Sequence, residues 1–313
     1  MSVKIQSPES LSLESINEAV KFQGSAVDDV VYIQIFADKY LLGTVPVINQ
    51  NWSVFYSFNQ AGKRKITVKG FDANDKQIAT HSIDILLINS DDDKPVKGID
   101  ISNNNPPINW HTVKRSGISF AFAKATEGGT WIDQTFASHW SRMKAAGIIR
   151  GAYHYCRPNK TAQQQADNFL RVVENVFEPG DLPPVLDVEQ WPPKVGREWN
   201  AINLQQRINL IGDWLEKVGD ALGERPIIYT SPSFWREYMN DTLAFTDYPL
   251  WLAHYTSRNQ PTVPANNWGG NGYTFWQYTE RGRVPGVIGD VDVNRYSGNF
   301  RKLVALANNS FTA

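Results

Sequence analysis

The sequence predicts an α/β chain in two parts, a small all-β module followed by a parallel β/α barrel. Three observations carry this. Ten of the eleven Trp lie after residue 97, and only Trp52 precedes it. The segment 89–97, NSDDDKPVK, is polar, holds three consecutive acids and a proline, and separates stretches of different periodicity, as a short linker does. Before it, apolar residues recur at every second position; after it, short apolar β-rich runs alternate with longer amphipathic ones. These signals place a first module at residues 1–90, a linker at 91–96 and a second domain at 97–313.

Within the first module Trp52, Val54, Tyr56 and Phe58 alternate with their neighbours, and VYIQIF, KITVKGF and HSIDILLI behave alike. About seven such runs, separated by turn-like pieces such as QGSAVDD, NQAGKR and DANDK, predict a small antiparallel β-sandwich. In the second domain the runs GIDIS, ISFAFAKA, IRGAYHY, PVLDVE, PIIYTS, PLWLAHY, YTFWQY and DVDVNRY supply eight strands. Amphipathic stretches between the earlier ones predict a parallel barrel with an outer helical layer. FASHWSRMKAAG, TAQQQADNFLRVVENV and NLQQRINLIGDWLEKVGDALG are the main helices, the first and last closed by Gly. The last three strands have only short or irregular connections, so a full set of eight helices is not expected.

Composition narrows the function. With 313 residues and 42% hydrophobic, the chain can bury a full core, which excludes disordered and fibrous classes. Its 31 basic and 32 acidic residues leave none of the basic surplus that phosphate backbones demand, so nucleic acid is not expected as a partner. Neither part is a charged tail: residues before 97 hold 9 basic and 12 acidic side chains, and the remainder 22 and 20. The single cysteine, Cys156, excludes an intrachain disulfide. No stretch approaches the ~18 apolar residues of a membrane span, so the chain is expected to be soluble, with a monomer as the default. The start MSVKIQSPES lacks the basic and apolar regions of a secretory leader, which predicts synthesis in the cytoplasm without a signal peptide.

The active site of a parallel barrel lies at the carboxyl ends of its strands. Acids gather there: Asp100 in GIDIS, Glu127 after ISFAFAKAT, Asp187 and Glu189 in PVLDVE, and Asp290 with Asp292 in GDVDVN. Asp187 and Glu189 stand two apart on one strand, so both side chains share a face roughly 6–7 Å apart, with Val188 turned away. A structural reading would make them an ion-paired or solvated strand end, since buried carboxylates are costly unless paired. Several carboxylates among aromatic rings instead suit glycoside hydrolysis, where one acid protonates the leaving oxygen and another stabilises the oxocarbenium-like centre. Trp251 and Tyr255 share one strand face, Tyr153 and Tyr155 another, and Trp276 lies on the next-to-last strand. His154 and Cys156 then face the helical layer, and Cys156 is a buried structural thiol. The five histidines show no HExxH spacing, and GGNG at 269–272 lacks the phosphate-loop lysine, so no metal, nucleotide or other cofactor is expected.

The stretches GIDIS, FAKATEGGTWIDQTF, AAGIIRGAYHY, QQADNFL, PVLDVE, IIYTSPSFW, LWLAHY and FWQYTERGRVPGVIGDVDVN occur in an order that resembles glycoside hydrolase family 25 over about residues 97–300. These are muramidases that cleave the β-1,4 bond between N-acetylmuramic acid and N-acetylglucosamine in peptidoglycan. The resemblance implies a TIM-like barrel of five strand-helix units plus three terminal strands. It implies a pocket of Asp100, Asp187, Glu189 and an Asp of the last motif, carried to Asp292 because it sits in VDVN; Asp290, on the same strand face, stays open. The resemblance points to Glu189 as the general acid and to Asp187 as the second catalytic carboxylate. A spacing of about 6–7 Å lies between those of retaining and inverting sites and does not choose a mechanism. The preferred hypothesis is attack by the substrate's own 2-acetamido group, oriented by Asp187, with Asp100 and Asp292 positioning Asp187 and the sugar. Lys124, Tyr153, Tyr155, Tyr229, Trp251, Tyr255, Trp276 and Gln277 are the expected sugar contacts. The first module resembles bacterial immunoglobulin-like modules through VKFQGSA, LLGTVPV, NWSVFYSF and KRKITVKGFD, without a Cys…Trp…Cys signature.

Two rival functions stand beside this one. A chitinase-like or other hexosaminidase barrel would carry the longer acidic run DxxDxDxE, where this chain has LPPVLDVE. A non-catalytic wall-binding barrel would lack some of the four carboxylates. The expected partners are peptidoglycan glycan strands and, through the first module, the wall itself, a secondary polymer, a phage tail or an injection machine; that module is otherwise a spacer. Because the wall lies outside the cytoplasmic membrane, in the periplasm or beyond, the chain is expected to arrive there as a phage-type lysin released by lysis or as the cargo of a dedicated export machine.

Overall fold

Among the described residues, period-two alternation in the N-terminal part folds as eight strands: β1 (Val3–Ser7), β2 (Ser12–Ser15), β3 (Ala19–Ala26), β4 (Tyr32–Ala37), β5 (Tyr40–Pro46), β6 (Asn51–Ser57), β7 (Gly62–Phe71) and β8 (Gln77–Ile88). The computed structural model describes residues 3–16, 19–27, 29–88 and 95–308. The chain divides into two units, Met1–Asp92 and Asp93–Ala313. Of the linker expected at 91–96, residues 91–94 lie outside the described residues.

The first unit has two sheets, ordered β1-β3-β6 and β2-β8-β7-β4-β5. Alternate side chains such as Phe22, Ile33, Ile35, Trp52, Ile66 and Val68 share one buried core. The expectation of a purely antiparallel arrangement is corrected at one pairing, because β2 runs parallel to β8. The two N-terminal strands pair in different sheets, β1 against β3 and β2 against β8.

The second unit contains β9 (Lys97–Ile101), α1 (Trp110–Arg115), β10 (Ile118–Glu127), β11 (Trp131–Ile132), α2 (Phe136–Ala145), β12 (Ile149–Tyr155), α3 (Ala162–Val173), β13 (Val185–Asp187), α4 (Pro193–Asn200), α5 (Leu204–Leu222), β14 (Ile227–Thr230), α6 (Pro232–Met239), β15 (Leu250–Ala253), α7 (Pro264–Gly269), β16 (Phe275–Gly282), β17 (Val291–Tyr296) and α8 (Phe300–Asn308). Eight strands close a barrel in the order β9-β10-β12-β13-β14-β15-β16-β17, with β17 back against β9 and β11 appended to β10. The first seven run parallel, but β17 is antiparallel to both β16 and β9, which corrects an all-parallel reading. Between β16 and β17 the chain has only a loop turned at Gly286 and Gly289, too short for the crossover that a parallel partner requires.

Caps set the helix ends. Thr161 and Asn203 form capping boxes with Gln164 and Gln206, each worth about 1 kcal/mol, and Gly223 ends α5 in the left-handed conformation. Segment α7 is different, because Ala265 to Trp268 have φ of 51 to 55° and form a left-handed turn.

One core lies between strands and helices and includes Val188, Trp199, Trp214 and Trp235. A second fills the barrel interior with Phe120, Phe122, Val185, Ile227, Trp251 and Phe275. The inner core depends on two glycines. A Cβ at Gly98 would sit 2.3 Å from the Phe120 ring, and one at Gly151 2.4 Å from Phe122, so larger residues would overpack the lumen. Among the described residues no helix is long and apolar enough to cross a membrane.

Candidate active site

The aromatic filling stops short of the carboxyl ends of the parallel strands and leaves an open cleft of about 1220 Å³ above Trp251. Strand register brings the acids to its base. Asp292 on β17 pairs directly with Asp100 on β9, and Asp187 at the end of β13 lies between Tyr155 and Tyr229 of the adjoining strands. Glu189 follows two residues after Asp187 and lines the same cleft, while Val188 packs into the outer core.

Asp100 is held by amides. Gln277 Nε2 donates to both of its oxygens, at 3.1 and 2.9 Å, and Asn294 Nδ2 donates to Oδ2 at 2.7 Å. Each amide is itself oriented. Tyr229 and Tyr255 hydroxyls donate to Gln277 Oε1 at 2.9 and 2.7 Å, and Trp251 Nε1 donates to Asn294 Oδ1 at 2.7 Å. Burial pushes Asp100 up to about 6, against the hydrogen bonds from Asn294, Gln277 and Asp292 that favour its charged form. Burial, the Asp100 charge and the hydrogen bond to Asp100 push Asp292 up to about 9. Asp292 therefore carries the proton near neutrality and donates it to Asp100.

The end of β13 has far fewer partners. Asp187 is buried and its Oδ1 has no hydrogen-bond partner. Burial, then the charge of Glu189, raise its proton affinity well above the usual carboxylate range, with Lys124 opposing. Burial lifts Glu189 to about 7, again against Lys124. Lys124 is pinned by Glu127 at 2.7 Å and lies over the Tyr155 ring at 4.6 Å. Glu127 also accepts from Arg157 at 2.9 Å, and Arg157 pairs with Glu198. One carboxyl that exchanges a proton near neutrality beside a second lacking donors gives a pair able to protonate a leaving group and hold a developing cation.

The structure brings together in this cleft Asp100, Asp187, Glu189 and Asp292, together with Lys124, Tyr153, Tyr155, Tyr229, Trp251, Tyr255 and Gln277. Trp276 does not join them. It adjoins Gln277 on β16, so strand alternation turns its ring outward; its Nε1 donates to His254 O at 2.8 Å and Arg295 lies over the ring. The open choice at the last motif resolves in position: Asp290 is outside the cleft lining and pairs with Arg283 at 3.0 Å. Trp251 forms the floor rather than an open platform, since Phe122 stacks on it at 4.3 Å. His154 faces the helices, bonded to Thr126 at 2.7 Å and stacked on Trp214, and burial raises the Cys156 thiol.

Sequence reasoning missed Asn294, Arg157, Glu198 and Trp191, among others. Asn294 shares the strand face of Asp292, and period two in VDVN was a sufficient signal. Arg157 and Glu198 meet only through tertiary contact. Trp191 is 68% exposed at the lip of the cleft, where its carbonyl accepts from the Tyr155 hydroxyl, in a loop without periodicity.

Comparison with known proteins agrees with this geometry. The profile described as glycosyl hydrolases family 25 matches residues 99–287. Lysozyme M1 of Streptomyces globisporus is 38% identical over 70% of this chain and 74% of its own. The N,O-diacetylmuramidase of Arthroderma benhamiae is 32% identical over 61% of this chain and 80% of its own. The crystal structure of the bacterial lysozyme from Streptomyces coelicolor superposes with a TM-score of 0.65 at 38% identity, over 70% of this chain and 99% of that one. The chain belongs to glycosyl hydrolase family 25 and is a glycoside hydrolase.

Proposed function

We propose that the barrel is a muramidase that cleaves the β-1,4 bond between N-acetylmuramic acid and N-acetylglucosamine in peptidoglycan, with Glu189 as general acid and Asp187 as the group that assists the substrate's acetamido nitrogen. The observation that carries this is the partnerless Oδ1 of buried Asp187 beside a carboxyl lifted to about 7. The Asp187 carboxyl lines the cleft base short of donors, and a substrate acetamido N–H supplies one, which also favours its ionised form. As the acetamido oxygen attacks the anomeric carbon, the C–O bond to the leaving sugar breaks. Glu189 gives its proton to the departing oxygen, and Asp187, ionised once the acetamido N–H donates to it, offsets the positive charge growing on the oxazolinium-like ring. Glu189 then takes a proton from the water that opens that ring. Asp100, fixed by Gln277 and Asn294, and Asp292, fixed by Asp100, position this pair and the sugar.

The test is digestion of purified peptidoglycan by wild type and Glu189→Gln, with soluble fragments analysed by mass spectrometry before and after borohydride reduction. New reducing N-acetylmuramic acid ends from wild type alone are expected. Reducing N-acetylglucosamine ends would move the enzyme to another hexosaminidase class, and wall binding without release would make it a binding protein. A trapped covalent sugar–Asp187 adduct would overturn the acetamido route.

The barrel is of the TIM-like type, with five strand-helix units and three terminal strands; helices after each of the first five strands support this. The first unit is an immunoglobulin-like module. Its orders β1-β3-β6 and β8-β7-β4-β5 follow A-B-E and G-F-C-C′ of that fold. It serves the enzyme as an anchor to the wall, to a secondary polymer or to a delivery machine such as a phage tail, or as a spacer.

A further inference from the structure

The cleft is lined by six carboxyl side chains, Asp100, Glu127, Asp187, Glu189, Glu280 and Asp292. A lining of carboxyls, charged or neutral, offers an anionic substrate no counter-charge, so a cation must receive it. Two cationic side chains line it, Lys124 and Arg236. Lys124 is taken by Glu127 at 2.7 Å. The neighbouring His254 is also unavailable as a cation, because burial lowers its proton affinity and its Nδ1 accepts from the Thr262 N–H at 2.9 Å. Arg236 differs. It projects from the last turn of α6, is exposed, and has no hydrogen-bond or ion-pair partner among the described residues.

We propose that Arg236 is the specificity-determining residue that receives a carboxylate carried by the glycan strand, and so makes the cleft select anionic, muramoyl-bearing strands over neutral N-acetylglucosamine polymers. This rests on the muramidase reading given above. A guanidinium presents parallel donors that match a carboxylate in bidentate fashion, and its attraction is greatest where no other counter-ion competes. Ser231, which caps α6, and Ser233 also line the cleft, their hydroxyls bonded to each other at 3.0 Å. Two sources share this chemistry on the substrate. The lactyl group on each muramic acid ends in a carboxylate when its peptide is absent, and the stem peptide brings its own carboxylates when present.

The experiment compares wild type, Arg236→Gln and Arg236→Lys on three substrates: intact peptidoglycan, glycan strands stripped of peptide by an amidase, and the same stripped strands with lactyl carboxylates converted to methyl amides. The reading is the ratio of kcat/KM on anionic strands to that on amidated strands. Loss of one charge-assisted contact predicts that this ratio falls about tenfold in Arg236→Gln, chiefly through KM, and that Arg236→Lys recovers part of it. Added salt should erode the wild-type preference and leave the glutamine variant's nearly flat. A loss confined to stripped strands assigns the lactyl carboxylate, and a loss confined to intact peptidoglycan assigns the stem peptide. An unchanged ratio in Arg236→Gln, with wild type cleaving both kinds of strand, overturns the role of Arg236 and leaves the muramidase reading standing. A wild type that cleaves none of the three overturns both.

Discussion

The two sides of the carboxyl cluster differ in how their burial is compensated. At the junction of β16, β17 and β9, Asp100 accepts from Gln277 and Asn294, each amide is locked by a tyrosine or tryptophan donor, and Asp292 adds a shared proton. At the end of β13, Asp187 has an oxygen with no partner, and burial dominates the raised proton affinity of both Asp187 and Glu189. A buried polar group left unmade costs roughly 1–3 kcal/mol, so the second side is held under strain by the fold around it. The difference teaches which side waits for substrate. In the mechanism proposed above, the satisfied corner is scaffold and the unsatisfied one is the place where substrate atoms complete the hydrogen bonding.

The sharpest way to break this contrast is at Asp187. Asp187→Asn keeps the shape but removes the charge that the carboxyl takes on when a substrate N–H favours its ionised form, and kcat is expected to fall by about 10²–10³. Stability should move the other way. Because the Asp187 carboxyl binds its proton more tightly in the folded chain, ionisation above about pH 4 opposes folding, and this loss grows until the folded group also ionises. The asparagine variant therefore melts higher than wild type near pH 8 and equally at about pH 4, as thermal unfolding at the two pH values would show. A variant that is inactive and also less stable at pH 8 would place Asp187 in the scaffold.

The opposite result is expected at Asn294. Asn294→Leu removes a donor to Asp100 and leaves Trp251 Nε1 buried without an acceptor, so a loss of roughly 1–3 kcal/mol is expected in denaturant unfolding, with a smaller fall in kcat than at Asp187. This residue also shows where sequence reading stopped. The strand-end acids were legible because PVLDVE and VDVN combine an apolar run with period-two acids, and a strand can direct such acids only to one face. The same parity in VDVN names Asn294, and its neighbour Gln277 excludes Trp276; choosing aromatics by residue type without counting strand parity produced that error. Arg157, Glu198, Trp191 and Arg236 had no comparable signal. They reach the site from a loop or a helix, where the spacing of a single segment does not say which way a side chain points. The reversed direction of β17 was hidden for a related reason, since an apolar run reads alike in either direction and only the short β16–β17 loop distinguishes them.

Asp292 gives the mildest and most discriminating test. Its carboxyl is lifted to about 9 by burial, by the Asp100 charge and by the hydrogen bond between them, so at working pH it acts as a neutral donor. An amide is also a neutral donor of similar shape. Asp292→Asn should therefore retain more activity than Asp187→Asn, Glu189→Gln or Asn294→Leu. The sign of its effect on stability follows from the same proton. Between about pH 4, where the unfolded carboxyl ionises, and about 9, where the folded one does, the native chain binds more protons, so stability declines as pH rises. The asparagine variant lacks that titration, and its melting temperature should fall less steeply across this window. A steep decline unchanged from wild type would mean that the proton resides elsewhere in the cluster. Activity as low as that of Glu189→Gln would mean that the reaction needs a carboxylate at 292, and the boundary between scaffold and chemistry would then run through the Asp100–Asp292 pair rather than between it and β13.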